Sequence, residues 1–333
     1  MVSEQVSNFV FDPGALAQSR RKRGISAFIR IRNGADFLES TIRSHIGHFD
    51  EIVAVYNQCT DNTADILGRL VQEFGPRLRV FHYIDRVHPP GSEAHAKTPS
   101  HSPGSMVNYS NFALAQTRHQ IVTKLDDDHL AMPAPLSTLC KELRAGRASS
   151  DYLHCISGLN LMRKPDGGLA LPEFDLVSGG GDIGFFRVSE ETRFIHDRRF
   201  ERFQRGNLKR RFAGYLYWHL KYLKRENGFG NYELSSNPDS RFARKKHRFT
   251  RSAALTMPQA KAALTPGTGA RLQALINPKA VLKLARNSAV ETCFPQQDLE
   301  TAMDDSSPGW RDIAGLECMA DGKQARRNVG GSL

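Results

Sequence analysis

Apolar runs and segments of helical periodicity alternate along the first half of the chain. Runs rich in Ile, Val, Phe and Leu predict strands over residues 25–31, 51–56, 78–84 and 120–125. Apolar residues at helical spacing, as in Leu38, Ile42 and Ile46, predict the helices between them. This alternation predicts an α/β fold with a mixed, mainly parallel sheet and helices on both faces.

Pro, Gly, Ser and His dominate residues 85–106, where the apolar residues show neither helical nor strand periodicity. The segment predicts a long loop, and such loops inside compact domains are usually functional or disordered. Its histidines and the one just before it are spaced too widely for an ordinary zinc site: His82, His88, His95 and His101. We interpret the loop as polar and as a possible lid, with Lys97 and Ser102 able to meet phosphate on closure.

The pattern changes after residue 150. A turn over 164–167 predicts a hairpin, and a strand is expected over 183–188, directly after the turn Gly179–Asp182. Leucines and aromatic residues over 207–224 are interleaved with cations and predict a helix. We therefore expect four segments: a flexible N-terminal segment (1–23), a catalytic domain (24–200), a basic, mostly helical C-terminal extension (201–300) and a mobile tail (301–333).

Composition narrows the class of protein. Hydrophobic residues make up 40% and charged residues 24% of the 333 residues, which is ordinary for a globular protein. No window approaches the ~20 apolar residues of a membrane helix. The five cysteines form no C-x-x-C pair, which favours a reducing, cytoplasmic setting over a disulfide or zinc framework.

The net charge is +11 and is concentrated in one segment. Residues 198–251 hold sixteen Lys and Arg against four acids, so this segment alone carries +12. Such a segment implies an anionic partner: phosphate groups, acidic lipid or nucleic acid. Around 205–224, its aromatic residues allow a helix that packs on the catalytic domain or lies at the inner face of an anionic membrane.

Three consecutive carboxylates, Asp126, Asp127 and Asp128, follow the fourth predicted strand. Like charges this close raise one another's pKa unless a cation neutralises them. Oxygen ligands suit Mg²⁺ or Mn²⁺, either of which would hold a diphosphate leaving group. In parallel sheets ligands bind at the carboxyl ends of strands, which favours a metal site over a solvated acidic turn.

The order ISAFIRIRNGADFLESTIRS, DEIVAVYNQCTDNTADIL and NFALAQTRHQIVTKLDDDH resembles the GT-A glycosyltransferases of the family 2-like group over residues 24–135. The resemblance implies a nucleotide-sugar donor, a saccharide or lipid-linked glycan acceptor and an inverting transfer. It makes Asp126 and Asp128 the D-x-D pair, with Asp128 the direct metal ligand and Asp126 nearer the ribose. The alternative register 127–129 gives a D-x-H variant with His129 as a nitrogen ligand.

The resemblance also implies roles for residues around the donor. Asn33 would close the first turn beside the base, and Asp61 would shape the nucleotide pocket. Lys124, two residues before the D-x-D pair, and Asp127, between its two members, are further donor-binding candidates. The chain departs from the family pattern at Tyr56-Asn57, where an aspartate pair is usual, so Asn57 would meet the nucleobase without a charge.

An inverting transfer needs a general base for the acceptor hydroxyl. Asp182 is our candidate because three glycines before it allow close approach of backbone and substrate. The alternative is a plain tight turn that Asp182 caps, and Glu201 and Asp175 are reserve bases.

Two other functions compete with glycosyl transfer. Nucleic-acid binding is suggested by the basic segment, but no binding module is recognisable and the aspartates would repel a phosphate backbone. A nucleotidyltransferase would also use paired aspartates and Mg²⁺, yet Ile31–Ala35 is a poor phosphate loop.

Overall fold

The computed structural model describes residues 3–181, 183–197 and 200–316. Its strands are β1 (Glu4–Val6), β2 (Lys22–Ile31), β3 (Glu51–Tyr56), β4 (Leu78–Tyr83), β5 (His119–Leu125), β6 (His129–Ala131), β7 (Tyr152–Asn160), β8 (Met162–Arg163), β9 (Leu169–Pro172), β10 (Val177–Ser178), β11 (Gly184–Arg187), β12 (Thr192–Asp197), β13 (Phe200–Arg205), β14 (Lys209–His219) and β15 (Ala254–Leu255). Its α-helices are α1 (Leu38–Ile46), α2 (Thr63–Phe74), α3 (Glu93–Lys97), α4 (Met106–Ala115), α5 (Pro133–Arg144), α6 (Arg241–Phe249), α7 (Met257–Leu264), α8 (Thr268–Ile276), α9 (Pro278–Ser288), α10 (Val290–Cys293) and α11 (Leu299–Ser306).

Ten strands form one mixed sheet in the order β1-β4-β3-β2-β5-β11-β7-β14-β6, with β10 paired to β7. Strands β1 to β5 run parallel, β11 runs against them, and β7 and β14 return to the common direction. The carboxyl ends of β2, β3, β5, β7 and β14 therefore meet at one edge. The predicted mixed, mainly parallel sheet is confirmed.

Alternation along β2 explains why helices cover both faces of the sheet. Ile25, Ala27 and Ile29 pack into one core with α1, α2 and α5, whereas Phe28 points to the opposite core with α4. All four side chains are fully buried, as central strands of a covered parallel sheet require.

The helix predicted over 207–224 is wrong, because residues 209–219 form β14, between β7 and β6. Residues 209–211 of this strand are exposed and residues 215–219 are buried. Its apolar residues Phe212, Tyr215 and Leu216 also stand at helical spacing, which explains the wrong prediction. The segment 205–224 thus offers no amphipathic helix to a membrane. It also carries the main sheet across the expected domain boundary at residue 200.

Both terminal segments contain ordered elements. β1 pairs with the edge strand β4, within the N-terminal segment that we expected to be flexible. At the other end, α7, α10 and α11 cover β9 and β14 in a further core. Met303, Trp310 and Leu316 are buried there, although we expected a mobile tail from residue 301.

Candidate active site

A cavity of about 400 Å³ opens at the sheet edge where the carboxyl ends of the parallel strands meet. Asp126, Asp127 and Asp128 line it from the turn between β5 and β6. Lys124, the next-to-last residue of β5, places its Nζ 2.7 Å from Asp126 Oδ1. The structure thus places the triplet where the sequence predicted a ligand crevice.

Strand pairing brings two histidines to the same place. β6 runs antiparallel to β14 and sets His129 directly opposite His219. The His219 Nδ1 lies 2.6 Å from Asn160 Oδ1, at the end of the neighbouring strand β7. Because that amide oxygen only accepts, we assign the proton to Nδ1, which leaves Nε2 facing the aspartates.

His129 is fully buried, and neither of its ring nitrogens has a hydrogen-bond partner among the described residues. Its ring stacks on Tyr217 with the centroids 3.7 Å apart. Burial lowers the pKa of His129 to about 3, so the ring is neutral near pH 7. A buried polar group without a partner is costly, and a neutral imidazole is the form that binds a metal.

Asp126, His129 and His219 each offer one ligand atom, and these atoms all lie within 4.8 Å of one another. Two ligands of one ion, each about 2.1 Å from it, lie about 3–4 Å apart, so small side-chain shifts would close this set around a cation. Of the predicted metal ligands, the structure groups Asp126 and His129, and it adds His219, which no local sequence pattern indicated.

Asp128 and Asp127 belong to an adjoining buried network around Lys224. The Lys224 Nζ lies 3.0 Å from both Asp127 carboxylate oxygens and 3.5 Å from Asp128 Oδ2. Asp128 Oδ1 also lies 3.0 Å from His219 Nε2. Asp128 thus adjoins the candidate metal set and lies outside the set itself.

The pKa values differ among the three aspartates because their partners differ. Burial raises the pKa of Asp127 to about 6, and the charges of Asp128 and Asp126 add to the shift while Lys224 opposes it. Burial also acts on Asp128, but His219 and Lys224 together hold its pKa well below the ordinary value. Lys124 lowers the pKa of Asp126 in the same way, against burial. At neutral pH the site therefore presents at least two ionised carboxylates.

Further cations surround the cavity. Arg30 forms an ion pair of 2.7 Å with Glu201, and Lys221 lies over the rings of Phe229 and Tyr232 at 5.2 Å. Burial lowers the pKa of Lys221, although nearby carboxylates oppose the shift. Lys221, Lys224 and Arg241 thus belong to the basic segment 198–251 and line the cavity, a role that the charge of the segment alone did not reveal.

Asn33 and Asp61 hold together the loops that follow β2 and β3. Asp61 Oδ2 accepts from the Ala35 N–H at 3.0 Å, and its Oδ1 accepts from the Thr63 N–H and hydroxyl. Asn33 Oδ1 accepts from the Thr60 N–H at 2.7 Å. Both predicted residues line a second cavity of about 410 Å³, next to the first across Lys224.

Asn57 lines the main cavity, but its side-chain amide is already committed. It donates to the carbonyl oxygens of Tyr83 and Asp85, both at 2.7 Å, and accepts from the Val87 N–H at 3.2 Å. The amide therefore anchors the start of the 85–106 loop, and its contact with a nucleobase stays a prediction.

That loop borders the cavity through Val87, Pro89 and Pro90. Part of it forms the short helix α3, where Lys97 is exposed and pairs with Glu93 at 2.5 Å. The expected contacts of Lys97 and Ser102 with phosphate stay predictions.

The expected general base, Asp182, lies outside the described residues, although its neighbour Ile183 lines the cavity. Of the reserve bases, Glu201 lines the cavity and is paired with Arg30. Asp175 instead accepts from the Tyr222 hydroxyl at 2.5 Å and pairs with Lys245 at 2.7 Å.

No family model matches the chain, and comparison with curated proteins finds no match. Among solved structures, the chain is similar to glucosyl-3-phosphoglycerate synthase from Mycobacterium tuberculosis in complex with Mg²⁺ and UDP. The identity is 18% over 47% of this chain and 51% of that chain, with a TM-score of 0.28. It is also similar to S. aureus TarS 1-349 in complex with UDP, at 21% identity over 42% of this chain and 35% of that chain, with a TM-score of 0.25.

The chain thus spans about half or less of the length of these structures. TM-scores this low carry no argument, so the interpretation of the site rests on its own geometry. Among the described residues, no helix has the length and apolar character needed to cross a membrane.

Proposed function

We propose that the chain is a metal-dependent glycosyltransferase of the GT-A type that takes a nucleotide sugar as donor. The observation that carries the proposal is the cluster of Asp126, His129 and His219, which lies with a ring of cations at the carboxyl edge of a parallel sheet. Neutral imidazoles with an ionised carboxylate fit a divalent cation, and lysines beside it fit a diphosphate.

The ligand set favours one kind of metal. Two imidazole nitrogens and one carboxylate suit Mn²⁺ and its transition-metal neighbours better than Mg²⁺, which prefers oxygen ligands. When bound, the cation would neutralise charge on the leaving diphosphate. Asn160 would hold His219 in position through Nδ1, which leaves Nε2 for the cation.

Other side chains around the cavity fit three further requirements of glycosyl transfer: binding of the diphosphate, exclusion of water and a general base. Lys221 and Lys224 place positive charge beside the aspartates, where a diphosphate would lie. The loop anchored by Asn57 forms one wall of the cavity and is positioned to exclude water from it. We propose Asp182 as the base that takes the proton of an acceptor hydroxyl on a saccharide or lipid-linked glycan, with inversion at the sugar.

The test of the donor class is a thermal-shift panel of UDP-, GDP-, dTDP- and CMP-sugars, each with Mn²⁺, Mg²⁺ or EDTA. A ligand at about 100 times its Kd stabilises the folded state by about 2.7 kcal/mol. We expect a shift with one nucleotide class, larger with Mn²⁺ than with Mg²⁺ and absent with EDTA.

Two variants make the panel specific to the site. Asp126→Asn should abolish the metal-dependent shift, while Asp151→Asn, at an exposed turn before β7, should leave it unchanged. An equal shift in Asp126→Asn, or no shift with any donor in the native chain, would overturn the proposal.

The base has a separate test. Asp182→Asn should bind donor normally and lose most of its transfer activity. The variant keeps the donor site but has no carboxylate to take the proton from the acceptor hydroxyl. Retained turnover would move the base to another carboxylate, with Glu201 the first to examine.

A further inference from the structure

The helices α8 and α9 form a hairpin, residues 268–288, whose outer surface is unusually apolar. Among the described residues, six large hydrophobic side chains are exposed, and four of them lie on this hairpin. They are Leu272, Leu275, Ile276 and Val281, with exposed fractions of 60%, 80%, 86% and 50%. A cluster of this kind is unlike the single exposed apolar residues that every surface carries.

The spacing of these residues places most of them on one face of α8. Leu272, Leu275 and Ile276 stand at i, i+3 and i+4, so they share one face of α8. No residue of α8 is buried. α9 by contrast attaches the hairpin to the body, where Leu282 packs against the core beneath the sheet. The hairpin therefore presents α8 outward on a fixed support.

Charge around this apolar face has a single sign. Residues 268–288, which form the hairpin, contain four Lys and Arg and no Asp or Glu. On the hairpin itself, Arg271 and Lys283 are exposed. A protein partner with an apolar patch would not require a hairpin that lacks acidic residues. An anionic lipid surface would, because apolar side chains enter its interface while cations meet its headgroups.

We propose that the α8–α9 hairpin docks the protein on an anionic lipid bilayer. Leu272, Leu275 and Ile276 enter the boundary between headgroups and acyl chains, and Arg271 and Lys283 lie at the headgroups. The contact is peripheral and reversible, because a few side chains and cations give far weaker binding than a spanning helix. It does not depend on the proposed enzymatic activity.

The test is flotation of the full chain with vesicles of phosphatidylcholine alone or mixed with phosphatidylglycerol. We expect the chain to float with the mixed vesicles only, and less so as salt is raised. The double variant Leu275→Gln/Ile276→Gln should lower partitioning by about tenfold or more. Val10→Gln, which removes an exposed apolar side chain elsewhere, is the matched control and should float like the native chain.

A second variant tests the charge. Arg271→Gln/Lys283→Gln should lower partitioning by about 30-fold at low salt, since each cation near an anionic surface contributes about 1 kcal/mol. Circular dichroism and thermal melts establish that each variant is folded.

Three results would overturn the proposal. One is failure of the folded native chain to float with anionic vesicles. Another is equal flotation of the native chain and Leu275→Gln/Ile276→Gln. The third is a dimer in sedimentation velocity that this double variant converts to a monomer, without vesicle binding by either, which would make the hairpin an interface between copies.

Discussion

Replacing Lys224 by Met tests whether one buried cation holds the aspartates together. The Lys224 side chain is 9% exposed, and its Nζ contacts Asp127 and Asp128. Removing one partner of a buried ion pair typically costs ~3–5 kcal/mol, because the remaining charge stays buried without compensation. At ~2 °C per kcal/mol for a chain of this size, the expected loss is ~6–10 °C in Tm.

The loss should depend on pH in a defined direction. The pKa of Asp127 is about 6 in the folded protein, above the ordinary carboxyl value, so folding favours its protonated form. That contribution is present at low pH and is lost as pH rises through the folded pKa. Without Lys224 the pKa of Asp127 rises further. At about pH 5.5 Asp127 is then protonated and the loss of stability in Lys224→Met is small, whereas at about pH 8 the buried carboxylate is charged and the loss is full.

Calorimetric melts of the native chain and of Lys224→Met at both pH values measure the effect. Lys246→Met is the matched control, because Lys246 is 42% exposed and its nitrogen lies 4.0 Å from Glu226. A surface pair of this kind contributes at most ~1 kcal/mol. Equal losses in the two variants at about pH 8, or a Lys224→Met loss that does not change with pH, would refute the buried network.

Two further substitutions test the packing beneath the site. Gly34→Ala would place a Cβ 2.5 Å from Asp127 Oδ2 and should lower the free energy of unfolding by ~1–3 kcal/mol in urea titrations. Gly47→Ala, whose added Cβ would meet nothing within 4 Å, should be neutral or stabilising, and equal effects would contradict this packing. Asn57→Ala should cost ~2–4 kcal/mol and speed hydrogen exchange over residues 83–87, because two carbonyls lose their donors. A change below ~0.5 kcal/mol would show that the loop does not depend on Asn57.

Much of the fold follows from local pattern. The strands β2 to β5 are short apolar runs, the helices α1 and α2 carry a helical period, and the structure has these elements where they were predicted. The strand β14 was missed because its apolar residues Phe212, Tyr215 and Leu216 also stand at helical spacing. Its aromatic residues, Phe212, Tyr215, Tyr217 and Trp218, were the available sign of a strand.

The site residues that were predicted have a local sequence pattern, and those that were missed have none. Asp126 and its neighbours stand out because three carboxylates after an apolar strand are costly without a partner. His219 and Lys224 lie about 90 residues or more further along the chain, and only the antiparallel pairing of β6 with β14 brings His219 to His129. Neither residue has a local pattern that signals its role, since a histidine or lysine among apolar residues is common.

The central claim is that Asp126, His129 and His219 hold a divalent cation beside a nucleotide diphosphate. Mn²⁺ titration followed by electron paramagnetic resonance tests it most directly, because the signal of the free ion is lost on binding. We expect one Mn²⁺ per chain, bound more tightly in the presence of the nucleotide that the thermal-shift panel selects, because two ligands that favour the same site strengthen each other's binding equally. Asp126→Asn and His219→Gln should lose this binding, and Asp151→Asn should keep it. Equal Mn²⁺ binding by all four proteins, or none by the native chain with any nucleotide of the panel, would contradict the account.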